Sequence, residues 1–306
     1  MFDVVSIGAA TVDIFVKSDA LTATPDIIGL TPSSKNEINS SLICSGGGAT
    51  NSSVAFSRLG LKSACVSLIG HSYLNNYIID DLKREKVSDK FICSNKKDTT
   101  DFSVILVSKD GRRSILTNRG KSGLTDKNFR WSQLKSIKWF YITSLEGNLD
   151  LLEKIIGFAK ENQIRLSLNP GNRELARRRR LISLLKYVDF LLLNRHEAET
   201  LLDLSFSDAD FFNQLHSLKS SLIAVTDGRQ GAYLIDRNQQ YFSPIINTTP
   251  VDETGAGDSF GSAFVAATIY HQPPQEALFW AIKNSASVVT RLGAKAGLLT
   301  LKQIKS

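Results

Sequence analysis

Six short apolar runs recur along the chain, and the segments between them keep a different rhythm. The runs are "FDVVSIG" (2–8), "SACVSLIG" (63–70), "KWFYIT" (138–143), "IRLSL" (164–168), "VDFLLL" (188–193) and "SLIAVT" (221–226), and each reads as a buried strand. Between them, "ATNSSVAFSRLG" (49–60), "LNNYIIDDLKREK" (74–86) and "NLDLLEKIIGFAKEN" (148–162) carry apolar residues at helical spacing. Gly60 closes the first of these as a C-terminal cap. Strands joined through helices call for right-handed βαβ crossovers. The expected fold is therefore α/β: a doubly wound, mostly parallel sheet flanked by helices, formed by residues 1–306 as one domain.

One region breaks the rhythm. "DFSVILVSKDGRRSILTNRG" (101–120) alternates apolar and polar residues around Asp110-Gly111, a strong hairpin signal. Together with "TVDIFVKSD" (11–19) it predicts a small β lid built from about 11–18 and 91–119. Open lid edges are a hazard that pairing across a two-fold would cover, so a homodimer is expected. The polar segment "GLTPSSKNEINSSLI" (29–43) reads as a loop able to reach the pocket beneath, where Lys35 and Lys121 could meet an anionic group.

Composition narrows the classes of function. No window approaches the roughly 20 apolar residues that cross a bilayer, and "MFDVVSIGAATVDIF" reads as a first strand rather than a signal peptide. Cys44, Cys65 and Cys93 form no CxxC pair, which sets a disulfide framework and a zinc finger aside and suits a reducing cytoplasm. The net charge of +7 admits nucleic acid or an anionic small substrate as a partner. Its densest cluster, "NRELARRRRLISLLK" (172–186), has no interleaved aromatic for bases to stack on, and reads as a solvated helix face.

The chemistry is densest in "VDETGAGDSFGSAFVAATI" (251–269). A helix starting near Ala256 leaves the amides of Gly255, Ala256 and Gly257 without internal partners, and the helix dipole favours an anion there. Asp258 then lies in the first turn, beside that anion. A carboxylate beside a transferring phosphoryl group is repulsive unless it has work to do, and the plausible work is accepting the proton of an attacking hydroxyl.

Around this point the sequence resembles the ribokinase-type (PfkB) carbohydrate kinase family. "DETGAGDSF" is similar to that family's C-terminal signature and "SGGGATNSSVAFSRLG" (45–60) to its N-terminal one. "LNPGNREL" (168–175), "NRHEAE" (194–199), "TDGRQGAYL" (226–234) and "TRLGA" (290–294) follow in family order. The resemblance covers nearly the whole chain. It implies an ATP-dependent kinase with Asp258 as catalytic base and Gly255, Ala256 and Gly257 as the anion hole. Asp13, Gly47, Asn51 and Glu146 would hold the acceptor. Asn194 and Glu197 would organise phosphates and Mg2+, Glu197 through water. Thr226, Gly228 and Gly231 would line the nucleotide, with Asn284 near the adenine. Asp252 and Thr254 could help hold a monovalent cation such as K+. Four of these residues have plainer readings: Asp13 as a turn cap, Asn51 as a helix N-cap, Glu197 as a surface helix residue and Glu146 as an ordinary polar residue of a strand-end loop. The chain departs from the pattern at Gly48, where ribokinases carry lysine, and at Gly297, where a serine often completes the cation site. The acceptor is thus a small sugar or sugar derivative, or a nucleoside walled by Phe15, Phe102 or the Trp131 region. A non-catalytic sugar- or nucleotide-binding regulator is the remote alternative.

Overall fold

A computed structural model describes residues 1–236 and 239–306. In chain order its strands are β1 (Val4–Ile7), β2 (Thr11–Lys17), β3 (Thr22–Ala23), β4 (Ile28–Gly29), β5 (Ser40–Gly46), β6 (Ser63–Ile69), β7 (Ser88–Ser94), β8 (Phe102–Val107), β9 (Arg113–Asn118), β10 (Trp139–Ile142), β11 (Arg165–Leu168), β12 (Phe190–Asn194), β13 (Leu222–Thr226), β14 (Ala232–Asp236) and β15 (Gln240–Ser243). The α-helices are α1 (Gly48–Arg58), α2 (Asn75–Arg84), α3 (Leu149–Glu161), α4 (Asn172–Leu175), α5 (Arg178–Leu185), α6 (Arg195–Leu202), α7 (Phe211–Ser217), α8 (Ala256–Ile269), α9 (Pro274–Val288) and α10 (Leu301–Lys305).

All six apolar runs enter one nine-stranded sheet, in the order β15-β14-β13-β12-β11-β10-β1-β6-β7. From β13 across to β7 every neighbouring pair is parallel. Among the described residues only the β13–β14 and β14–β15 pairs are antiparallel, at one edge, so β14 alone runs against the rest. Successive side chains of a strand face opposite ways, which explains the unbroken apolar runs: both faces are covered. Val5, Phe140, Ile142 and Leu166 pack with α3, α5, α6 and α7 on one side. Val4, Trp139, Tyr141 and Phe190 pack with α1, α8 and α9 on the other. Helix α8 lies deep in that second layer, buried from Ser259 to Ala267. Its small residues let it approach closely; a Cβ at Gly261 would collide with the Tyr141 hydroxyl.

The lid is a separate sheet, β5-β2-β8-β9. The Asp110-Gly111 hairpin joins β8 to β9 as expected, with Gly111 at φ 84. Two expectations need correction. Residues 91–94 belong to β7 at the edge of the main sheet, not to the lid. Part of the segment read as a polar loop is strand β5, paired antiparallel with β2 over its full length, Asp13 opposite Cys44. The first four residues of β5 are exposed, so its outer end gives no apolar signal. The arginine-rich stretch forms two short helices, α4 and α5, not one. Its guanidiniums meet local carboxylates, Arg178 with Asp203 and Arg180 with Asp150 and Glu153. Among the described residues no helix is long and apolar enough to cross a membrane.

Candidate active site

Helix α8 begins at Ala256, and Gly255 before it sits in the left-handed region at φ 79. That conformation favours glycine. A Cβ at Gly255 would also lie 2.5 Å from the Ala294 Cβ. The expected hole of three amides is reduced by one. The Ala256 amide donates to the Glu253 carbonyl at 3.2 Å, whereas among the described residues the Gly255 and Gly257 amides have no partner. Two donors and the positive end of a fourteen-residue helix face outward there.

Asp258 stands in the first turn of α8, half-buried. The Asn51 Nδ2 donates to its Oδ2 at 2.9 Å, joining positions 207 apart in the chain. Burial raises the Asp258 pKa, opposed by that hydrogen bond and by the nearby Lys295 charge. Asn51 lies inside α1 rather than at its N-cap, and among the described residues its buried Oδ1 has no partner. A buried acceptor left unmade costs about 1–3 kcal/mol, so a ligand hydroxyl has a strong reason to donate to it.

Asp13 comes from the lid strand β2 and is 8% exposed. Burial raises its pKa, Lys295 lowers it, and Asp252 and Asp258 raise it further. Space for its carboxylate exists because residue 46 is glycine; a Cβ there would collide with Asp13 Oδ2. Gly47, the N-cap of α1, has φ 92, and a Cβ on it would lie 2.6 Å from the Ala9 carbonyl oxygen. At Gly48 a Cβ would meet the Thr143 side chain at 2.9 Å, so Thr143 fills the space beside the departing position.

Glu146 follows β10 in a left-handed conformation, φ 57, rare for a non-glycine residue. Sequence reasoning missed what holds it. The buried Glu174 accepts from the amides of Leu145 (2.7 Å), Gly147 (2.8 Å) and Gly171 (2.9 Å). The Glu146 carboxylate pairs with Arg119 of the lid and with Arg173 at 2.9 Å.

On the other side of the Gly255 turn lies a cavity of about 630 Å3. Asn194, Thr226, Gly228, Gly231, Ala256 and Gly257 line it, as do apolar residues the motifs did not reveal: Ile245, Phe260, Ile282 and Val289. Ile282, Ala286 and Val289 form one face of α9 and its C-cap, a helical spacing visible in the sequence once the cavity is known. Asn194 caps α6 reciprocally with Glu197: the Glu197 amide donates to Asn194 Oδ1 at 2.9 Å, and the Asn194 amide to Glu197 Oε2 at 2.8 Å. Burial pushes the Glu197 carboxyl up.

The geometry bears on three further expectations. Asn284 is fully buried and does not line the cavity; its amide donates to the Ser259 carbonyl and accepts from the Leu299 amide, so it clamps α9 to α8. Trp131, partly buried at the edge of the core, stacks on Phe129 and packs at a tilt against Phe158, and it does not line the cavity beside Gly257. The expected monovalent-cation residues do not fit an ion. Asp252 is already paired with Arg113 of the lid and accepts from Thr254 Oγ1 (2.7 Å), the Thr254 amide (3.1 Å) and the Gly293 amide (2.9 Å). A protein guanidinium stands where the ion's charge was expected, and residue 297 brings no hydroxyl.

The Asp258 carboxylate, bonded to Asn51, thus stands one residue from Gly257, which lines the cavity. The chain belongs to the PfkB family of carbohydrate kinases, whose profile matches residues 1–301, and it is an enzyme of that class. It is similar to the ribokinase of Schizosaccharomyces pombe, 25% identical over 319 residues that span 99% of this chain and 97% of that one. It is also similar to the nucleoside kinase of Methanocaldococcus jannaschii, 24% identical over 281 residues, 89% and 88% of the two chains. The solved structure of an Arabidopsis thaliana ribokinase complexed with ribose and ATP shares the fold: TM-score 0.80, 19% identity, 99% of this chain and 97% of that one.

Proposed function

We propose that the enzyme transfers the γ-phosphoryl group of ATP to a hydroxymethyl group of a small sugar or sugar derivative. The Asn51–Asp258 hydrogen bond carries this reading, because it ties the carboxylate in the first turn of α8 to the start of α1, and so supports a base beside both the Gly255 turn and the side chains read as acceptor contacts. In that role Asp258 accepts the hydroxyl proton, and the Gly255 and Gly257 amides hold the charge on the transferring group. Asp13 and the unpartnered Asn51 Oδ1 orient the acceptor's other hydroxyls. The cavity's apolar walls suit a nucleotide base, and its backbone turns suit phosphates. Mg2+ binds chiefly through phosphate oxygens and water; Asn194 and Glu197, which cap α6 reciprocally, are the side chains that would organise it, and bound there it would neutralise phosphate charge.

Asp258→Asn should lower kcat by roughly 100- to 10,000-fold while ATP still binds in a calorimetric titration. A variant keeping a third of wild-type turnover would place the base elsewhere. The likeness to a nucleoside kinase supports a second reading, a nucleoside acceptor. Assaying sugars, sugar acids and nucleosides side by side decides between them.

Two further readings belong to this proposal. Every residue of β9 is exposed, Ile115 and Leu116 included, which supports a homodimer closed through the lids. Light scattering should then give twice the chain mass, and Ile115→Asp with Leu116→Asp half of that. All three cysteines are free thiols, which supports a cytoplasmic site of action.

A further inference from the structure

Below the acceptor pocket lies a buried cation that no motif indicated. Lys295 is 8% exposed, and its ammonium spends all three donors inside the protein. It donates to Asp81 Oδ2 of α2 at 2.8 Å, to Thr50 Oγ1 of α1 at 3.0 Å, and to Ser45 Oγ of β5. Thr50 Oγ1 in turn donates to the Gly46 carbonyl at 2.6 Å, and Ser45 Oγ to Asp81 Oδ2 at 2.7 Å. The ammonium thus grips both flanks of the Gly46-Gly47 turn.

The backbone around Lys295 reaches the other half of the site. The Gly293 amide donates to Asp252, and Ala294 packs on Gly255. Arg58, itself held by both oxygens of Glu85, donates to the Lys295 carbonyl at 2.8 Å and the Leu298 carbonyl at 3.1 Å. Three consecutive residues therefore touch the loop before the base, the amide hole and the acceptor turn. Burying an ammonium is expensive unless it is paired and fully hydrogen-bonded, and an apolar substitute often serves stability as well. The charge therefore points to a use beyond stability.

We propose that Lys295 is a positioning residue for phosphoryl transfer, a resident cation that fixes the acceptor turn against the Gly255 loop and lets several carboxylates share one buried region. The proposal rests on the phosphotransfer reading. The charged groups facing this region are Asp81 with its partner Arg84, Asp13, Asp258, and Asp252 with its partner Arg113. The Cys44 and Cys65 thiols lie near it and stay protonated, pushed up to about 11 and about 12 by burial. Lys295 lowers the pKa of both Asp13 and Asp258. Removing its charge must therefore raise them, and the acid limb of kcat/KM moves to higher pH.

Two variants test this. Lys295→Gln keeps a donor and removes the charge. Lys295→Met with Asp81→Asn removes the pair, so no carboxylate is stranded. In each, the acid limb should move up by half a pH unit or more and the acceptor KM rise at least fivefold, with the ATP KM within twofold. A superimposable pH profile with an unchanged acceptor KM in a folded variant overturns the proposal. So does loss of fold in both, which would assign Lys295 to stability alone. Asp258→Asn separates the levels: if it is inactive while the Lys295 variants behave as wild type, the kinase reading stands and this one falls.

Discussion

On the acceptor side of Asp258 the binding groups are side chains; on the nucleotide side they are mostly backbone and apolar surface. Asp13, Asn51 and the Lys295 network gather carboxylates, an amide and an ammonium from the lid, α1, α2 and the C-terminal region. The cavity beyond Gly255 offers Gly228 and Gly231 turns and one face of α9. Selectivity for hydroxyls needs placed polar groups, which are left unpaired when the wrong ligand enters. A common phosphate donor needs only amides, a helix end and an apolar slot. On the proposed assignment of the two sides, acceptor choice is written in a few side chains, and donor binding in the shape of the chain.

Side-chain substitutions offer the sharpest way to break this contrast. Asp13→Ala or Asn51→Ala should raise the acceptor KM at least tenfold and leave the ATP KM within threefold. Tenfold corresponds to losing ~1.4 kcal/mol, the scale of one well-placed hydrogen bond. Asp13→Ala should be the more severe, since a carboxylate accepts from two hydroxyls. Steady-state kinetics decide it: a mutant that weakens ATP alone reverses the assignment of the two sides.

A backbone substitution probes the donor side. Gly231 has φ 130, and a Cβ on it would collide with the Ser243 carbonyl. Gly231→Ala should raise the ATP KM about three- to tenfold, one mispositioned turn contributing on the order of 1 kcal/mol, with the acceptor KM unchanged. Equal effects on both substrates would show that the two sides are not separable.

The pH profile gives a smaller effect near neutrality. As the proposed base Asp258 would work ionised, and burial raises its pKa. Activity must be lost as pH falls through a midpoint above the ordinary aspartate value of about 3.9. A midpoint at or below that value would contradict the buried environment. The smallest expected effect is that of K+. With Arg113 on Asp252, rates in potassium chloride and in tetramethylammonium chloride should agree within about twofold, less than 0.5 kcal/mol; a larger stimulation would show that the guanidinium gives way to the ion.

The sequence made the framework legible because its signals are local. Six apolar runs mark six strands of the main sheet, Asp110-Gly111 marks the lid hairpin, and the glycine turn marks the start of α8 within a residue. Strand β5 escaped because its outer half is exposed and its order comes from pairing with β2, some thirty residues earlier. Lys295 escaped for a similar reason: its partners lie 214 to 250 positions away. Asn284 looked available because a polar residue in a helix is usually exposed, whereas here both ends of its amide are spent on the fold.

The bond between Asn51 and Asp258 sets a schedule for synthesis. A ribosome adds roughly 5–20 residues per second, so some 10–40 s separate the emergence of the two partners. Throughout that interval the glycine-rich turn and its asparagine exist without their base. Long-range closures of this kind also slow folding once the chain is whole. On the proposed reading of Asp258 as the base, no nascent copy can transfer a phosphoryl group before that residue has cleared the ribosome's exit tunnel.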